Sequence, residues 1–335
     1  MKTVLVTGAT GFVASHLIPI LSQQGWKIRA AIRSHQEVLQ KRYPAFTSLS
    51  LAPISIGEID GSTDWGNALQ KIDVVVHLAA RAHLLQDSAA NSEAEFLKVN
   101  SQGTVNLVRQ SIQAGVRHFV FVSSIGAMAT LSHQPLTENS PCQPDTAYGR
   151  SKLQAEQALI KLANQSKITW TIFRPTLVYG PGNPGNMERL IKLVSWGLPL
   201  PFGLVKNRRS FIYVANLADA IAISLTHPQA RNQIFLVSDG QDLSTPQLIR
   251  QIARHLERPC YLLPVPPSFL KLVGYWGDTM QQLVQRPMPF NTPMVDRLLG
   301  SLVVDNCYIQ SALKWQPPYT IDQGLQQTLQ PRCYS

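Results

Sequence analysis

A chain of 335 residues is long enough for one large α/β domain, or for a large domain with a smaller second lobe. At 44% hydrophobic residues it fits an ordinary globular protein, and no uninterrupted apolar run reaches the roughly 18–20 residues of a membrane span. The net charge of +10 comes from scattered basic residues, without a long run or an aromatic-interleaved stripe, which argues against nucleic acid and for small anionic ligands.

In chain order, residues 4–6 form an apolar first strand that stops at once at Thr7-Gly8. That run is too short for a secretory signal, so the expected location is the cytoplasm, with no membrane partner. A helix follows to about residue 24, then strands at 27–32 and 49–56. Pro53 interrupts the third strand and removes a ladder donor, which puts it at a sheet edge. Residues 73–78 are almost continuously apolar, as expected of a strand covered on both faces. A helix over 90–114, a strand at 118–123, a long helix over 147–165 and a strand at 169–174 complete the first half. This alternation predicts an α/β fold with a doubly wound parallel sheet.

The pattern changes after Pro175. Residues 180–203 are rich in Gly and Pro around one amphipathic helix at 187–196. Strand-like 211–214, helical 216–225 and strand-like 234–237 then return to the α/β rhythm. The expected organisation is a first domain over 1–180, with 211–240 returning to it. A smaller, mostly helical C-terminal substrate lobe, 181–335, is interleaved with that domain. Cys142, Cys260, Cys307 and Cys333 show neither C-x-x-C spacing nor a histidine at zinc spacing, so no metal site or disulfide framework is expected.

Chemistry begins at the first turn. Gly8, Gly11 and Ala14 follow strand one and open a helix. The first glycine allows a sharp turn, the second lets backbone approach a pyrophosphate, and the small third residue lets helix and strand pack closely. The helix N-terminus then offers free N–H groups to phosphate. This is the arrangement of a Rossmann dinucleotide site. At the end of strand two stands Arg33 instead of the acidic residue that binds the ribose hydroxyls of NAD. Its guanidinium suits a 2′-phosphate, so NADP(H) is favoured and NAD(H) is the alternative. Glu58, after strand three, is placed to meet the adenine edge.

Tyr148 and Lys152 form Y-x-x-x-K, whose spacing puts both side chains on one helix face. A phenol ionises near pH 10, and a nearby ammonium is expected to lower that value. The pair then becomes an acid/base that exchanges a proton with a carbinol while hydride moves. Ser124 ends strand five, where open α/β sheets bind ligands, and its hydroxyl can hold the substrate oxygen. Asn100 falls inside a helix, a poor position for asparagine, and could hold a water in a proton relay to Lys152.

With these residues in hand, the chain resembles an extended short-chain dehydrogenase/reductase of the NAD-dependent epimerase/dehydratase group. The motifs run nearly end to end: T-G-A-T-G-F from Thr7, H-L-A-A from His77, V-N-S-Q-G-T from Val99, V-S-S from Val122, Y-G-R-S-K from Tyr148 and R-P-T-L-V-Y-G-P-G from Arg174. The resemblance implies a triad of Ser124, Tyr148 and Lys152, supported by Asn100. It implies a cofactor lined by Thr10, Phe12 and Val13 in the turn, by Ile59, and by Leu78, Ala79, Ala80 and Arg81 after strand four. Pro175 and Val178 would lie beside the nicotinamide. Asn186, Arg209 and Arg297 would hold a substrate diphosphate, with Asp305 completing the site, and Pro201 would lie in the segment that holds the nucleotide base.

Departures narrow the chemistry. Ala14 replaces the usual third glycine, and Ala215 stands where relatives often have Asp, which loosens a local cap. Ile125 and Gly126 stand where sugar 4,6-dehydratases carry Asp-Glu, so dehydration is not expected. A UDP-4-keto-6-deoxy-sugar 4-reductase of surface-polysaccharide synthesis and a UDP-sugar 4-epimerase both remain, with Arg33 tilting the reading to the reductase. The substrate partner would be a UDP-sugar and the assembly a homodimer. A non-catalytic dinucleotide sensor is the reading from another class.

Overall fold

A computed structural model describes residues 2–33, 51–81, 89–183, 185–284 and 292–330. Seven parallel strands form its centre: β1 (Thr3–Thr7), β2 (Lys27–Ile32), β3 (Leu51–Ser55), β4 (Val74–His77), β5 (His118–Val122), β6 (Thr169–Pro175) and β9 (Gln233–Val237). Their order is β3-β2-β1-β4-β5-β6-β9, so the winding direction reverses between β1 and β4. Open α/β sheets bind ligands at the carboxyl ends of strands beside such a reversal. The sheet is the doubly wound one that the alternation predicts, and β3, with Pro53 opposite Ala30, lies at its edge.

Apolar side chains cover both faces of the sheet. On one side Leu17, Ile18 and Leu21 of helix Ala14–Gln23 pack with Leu217 and Ile221 of helix Val214–Ser224 and with Trp315. On the other, Leu107 and Val108 of helix Gly103–Gln113 pack with Ala155 and Leu159 of helix Ala147–Ala163 and with Trp65. The central strands are therefore dry on both faces, which explains their unbroken Val/Ile/Phe composition.

Of the two strand-like segments after residue 210, only β9 enters the large sheet. The other, β8 (Arg209–Tyr213), pairs with β7 (Leu177–Tyr179) and β10 (Asp242–Leu243) in a separate three-stranded sheet. Around it a second core gathers Tyr179, Met187, Leu190, Phe202 and Phe211 with Leu248 and Ile252. Helix Thr245–His255 is set by a capping box, in which the Ser244 hydroxyl accepts from the Gln247 N–H and the Gln247 side chain accepts from the Ser244 N–H. By contrast, helix Val214–Ser224 has Tyr213 at its N-cap and no side-chain cap, and the Tyr213 N–H donates instead to the Asp239 carboxylate. Among the described residues no helix is long and apolar enough to cross a membrane.

Candidate active site

Gly8 begins the turn after β1 at φ +65°, and a Cβ there would lie 2.9 Å from the backbone of Ala79. A side chain at Gly11 would meet the Gly8 carbonyl oxygen at 2.9 Å, and the Gly11 N–H donates to that same oxygen at 2.8 Å. The turn is thus too tight for any Cβ, and it leaves the N-terminus of helix Ala14–Gln23 facing the ends of β1 and β4. Thr10, Phe12 and Val13 flank this opening, half-buried. The cradle fits a pyrophosphate, which Gly8, Gly11 and the following backbone would hold.

Beside it stands a buried relay. Thr7 Oγ1 lies 2.7 Å from His77 Nδ1, and His77 Nε2 lies 3.0 Å from Thr104 Oγ1. The Thr7 oxygen accepts from the Ala79 N–H, and the Thr104 hydroxyl donates to the Asn100 carbonyl at 2.7 Å. These partners assign the tautomer: Thr7 donates to Nδ1, and the proton sits on Nε2. Burial first, and the Lys152 charge second, push the His77 pKa down to about 3, so the ring is neutral. The relay shapes the 78–81 loop, where Leu78, Ala79, Ala80 and Arg81 are all half-buried.

Asn100 sits in a π-helical turn, Leu97–Gln102, that interrupts the long helix. Its Oδ1 accepts from the Arg81 N–H at 2.8 Å, and its Nδ2 donates to the Arg81 carbonyl and to Ser151 Oγ at 3.1 Å each. Both amide hydrogens are engaged by protein groups. The side chain expected to hold a relay water instead pins the 78–81 loop to the catalytic helix, because a buried amide must satisfy its donors locally.

Helix Ala147–Ala163 starts on Thr146, whose hydroxyl accepts from the Gly149 N–H. Its first turn carries Tyr148, whose ring meets Phe96 edge-on at 5.9 Å. Ser124 caps the short turn Ile125–Ala127 by accepting from the Gly126 N–H, and it also hydrogen-bonds the Tyr148 phenol. One turn further on, Lys152 is buried, donates to the Val122 carbonyl at 2.9 Å and lies 4.6 Å from the centre of the Phe121 ring. The three expected catalytic side chains therefore meet at the end of β5.

Their electrostatics differ from expectation. Burial pushes the Tyr148 phenol up to about 12, against the opposing effect of the Ser124 hydrogen bond. Burial also pulls Lys152 down to about 7, partly offset by Glu156. The expected lowering of the phenol by the ammonium is absent because the same dry pocket penalises both charged forms. In this state the phenol is a proton donor and Lys152 is poised to change charge near neutral pH.

Spacing alone singles out Tyr148 and Lys152, but the same spacing continues one turn to Glu156, which our sequence reading missed. Glu156 is buried and grips Arg174 of β6, accepting from Nη2 at 2.5 Å and from Nε at 3.1 Å on both oxygens. Ser123, next to Ser124, donates to the same carboxylate. A single ion pair thus joins the catalytic helix, β5 and β6.

The remaining sites divide. Arg33 is exposed at the end of β2, and Glu58 is exposed with its carbonyl accepting from Thr63. Ile59 is half-buried against Gly103, where a Cβ would lie 2.7 Å from it. Pro175 ends β6, and Val178 lies in β7. In the second lobe Arg209 donates to the carbonyls of Arg297 and Gly300, and the neighbouring Arg297 charge adds to burial in pulling its pKa down to about 10. The Arg209 guanidinium is thus tied to the backbone of the segment that carries Arg297. Asn186 opens helix Asn186–Ser195 from an exposed position, and Pro201 is half-buried beside Phe202. Arg208 turns the other way, onto Asp242 at 2.8 Å. Asp305 is spent locally, accepting from the Cys307 N–H, so its carboxylate caps a turn.

The chain is similar to known proteins along nearly its whole length. A relative from Vibrio cholerae described as "UDP-glucose 4-epimerase" is 39% identical over 334 residues, covering 98% of this chain and 95% of the relative. One from Escherichia coli O157:H7, described as "N-acetyl-alpha-D-glucosaminyl-diphospho-ditrans,octacis-undecaprenol 4-epimerase", is 28% identical over 98% of this chain and 94% of its own length. A UDP-glucose 4-epimerase from Thermotoga maritima, solved with UDP-glucose, superposes with a TM-score of 0.71 at 21% identity, covering 98% of this chain and 97% of that one. The NAD dependent epimerase/dehydratase profile matches residues 4–238, and this chain belongs to that family.

Proposed function

We propose that this chain is a C4 epimerase of a UDP-hexose or UDP-N-acetylhexosamine. The observation that carries the reading is the meeting of Ser124, Tyr148 and Lys152 at the end of β5. Ser124 holds the C4 oxygen against the Tyr148 hydroxyl. A charged Lys152 beside Tyr148 favours the phenolate, which takes the carbinol proton, and the phenol so formed later returns it. When bound, NAD supplies the hydride acceptor and donor. Arg209 and Arg297 hold the diphosphate, so that either face of C4 can be presented without losing the nucleotide. The Vibrio cholerae relative supports the epimerase over the reductase that our sequence reading preferred. A sensor has no use for three assembled proton-handling groups.

The test is turnover of UDP-glucose and UDP-N-acetylglucosamine, followed by NMR of the sugar. Tyr148→Phe is expected to cost about 10²–10⁴-fold in kcat while sugar-nucleotide binding by calorimetry is unchanged. Full activity in that variant would remove the triad from the mechanism. A second reading, a 4-keto-sugar reductase using NADPH, rests on Arg33, exposed where a 2′-phosphate would lie. Denaturing the purified protein separates the two. Retained NAD at about one per chain supports the epimerase, and an empty protein that binds NADPH more tightly than NADH supports the reductase.

A further inference from the structure

Helix Pro267–Val284 is apolar on two adjacent faces. One face is used: Leu270, Gly274 and Gly277 are buried, and Gly274 lies so close to helix Thr292–Leu299 that a Cβ would stand 3.1 Å from Val295 and 3.2 Å from Thr292. The other face is bare. Phe269, Leu272, Val273, Trp276 and Met280 recur at i, i+3, i+4, i+7 and i+11, and they are 55%, 52%, 37%, 62% and 42% exposed. Tyr275, 68% exposed, flanks them. Isolated exposed apolar residues are ordinary, but a stripe of this length with Trp, Tyr and Phe is not.

The apolar surface continues beyond the helix. Tyr261 and Leu263 precede it, exposed, and their backbones bond to Leu200. Through Gly203, whose N–H donates to the Leu263 carbonyl, this strip reaches exposed Leu204. There it meets a cavity of about 430 Å³ lined by Lys206 and Arg250 and by the Arg208–Asp242 pair. Charge on the helix is equally one-sided. Its two charged side chains, Lys271 and Asp278, are seven residues apart and so share the side away from the stripe: Asp278 accepts from the Thr292 N–H, and Lys271 is exposed.

We propose that this face docks the protein peripherally on an anionic phospholipid surface. The Phe269–Met280 stripe enters the boundary between headgroups and acyl chains, and Lys206 and Arg250 of the cavity take lipid phosphate. The stripe has the composition of an interfacial face, aromatic and aliphatic with no charged residue in it. The net charge of +10 attracts the chain to anionic lipid and opposes pairing this face with a second copy of itself. The helix packs on the one carrying Arg297, to whose backbone Arg209 bonds. The sequence-based expectation of no membrane partner is thereby revised to surface contact without crossing.

Co-sedimentation of the full chain with vesicles tests this independently of the C4 chemistry. Binding is expected to vesicles of phosphatidylcholine with about one third phosphatidylglycerol, weakening at raised salt, and to be much poorer with phosphatidylcholine alone. Trp276→Asp should weaken it about tenfold or more and abolish the blue shift of tryptophan emission on anionic vesicles. Phe269→Asp, further along the stripe, should repeat the loss. Both positions are exposed, so turnover of UDP-glucose serves as the folding control and should not change. Equal pelleting of wild type and both variants, or no pelleting of wild type, overturns the proposal. So does a Trp276→Asp variant that turns a wild-type oligomer into a smaller species, because the face would then be a protein interface.

Discussion

The separation of Tyr148 from Ser124 is set by a residue with no side chain. A Cβ on Gly149 would stand 2.1 Å from the Gly126 carbonyl oxygen, so the catalytic helix can approach the turn after β5 only through this glycine. In an unhindered helix, glycine to alanine stabilises by about 1 kcal/mol. Here Gly149→Ala must push the first turn, with Tyr148 in it, away from Ser124. A displacement of this kind is expected to lower kcat about 10²-fold while circular dichroism stays native-like. Unchanged kcat in a folded variant would show that the close approach does not set the geometry. Tyr148, Lys152 and Ser124 were legible because helical spacing and a strand end are local properties. His77 was legible only as part of a motif. Its role as the neutral link from Thr7 to Thr104 depends on three segments meeting in space.

At the scale of elements, the Glu156–Arg174 pair fastens helix Ala147–Ala163 to β6, with Ser123 of the β5 end as third partner. All three are buried, so removing one charge strands the other in a dry interior. Glu156→Gln is expected to cost about 3–5 kcal/mol in denaturant unfolding. Because Glu156 also raises the Lys152 pKa, the same variant should move the lysine limb of the pH–rate profile to lower pH. A stability loss without that movement would make Glu156 a purely structural brace. The helix and strand were both read correctly from sequence, and the Y-x-x-x-K spacing even pointed on to Glu156. Its partner could not be read, since Arg174 lies on a strand whose neighbours only the sheet order defines. The π turn at Asn100 was hidden for the same reason, as the amide is rewarded there by contacts with Arg81 and Ser151 and not by local propensity.

For the whole molecule, two histidines buried at or beside strands of the large sheet set the acid limit. Burial pushes His77 down to about 3 and His118 down to about 4. Both folded values lie below the unfolded value near 6.5, so between those limits the unfolded chain binds more protons than the native one. The stability of the neutral rings is full above pH 6.5 and is lost as pH falls toward 3, with a slope near 1.4 kcal/mol per pH unit for each histidine in the window. Urea midpoints should fall accordingly through that range, and more gently in His77→Gln; an unaltered slope would mean that His77 is protonated in the native state. The sequence by itself determined the parallel sheet, its edge strand, the glycine turn and the catalytic spacing, because each depends on contacts within a few residues or on a hydrophobic period. Only the tertiary structure decided that β8 leaves the large sheet, that Arg209 bonds to the backbone at Arg297 and Gly300 while Arg208 turns to Asp242, and that dryness raises Tyr148 and lowers Lys152. It alone revealed the bare face of helix Pro267–Val284. Burial belongs to the assembled fold, and an apolar helix face reads the same in sequence whether a neighbour covers it or not.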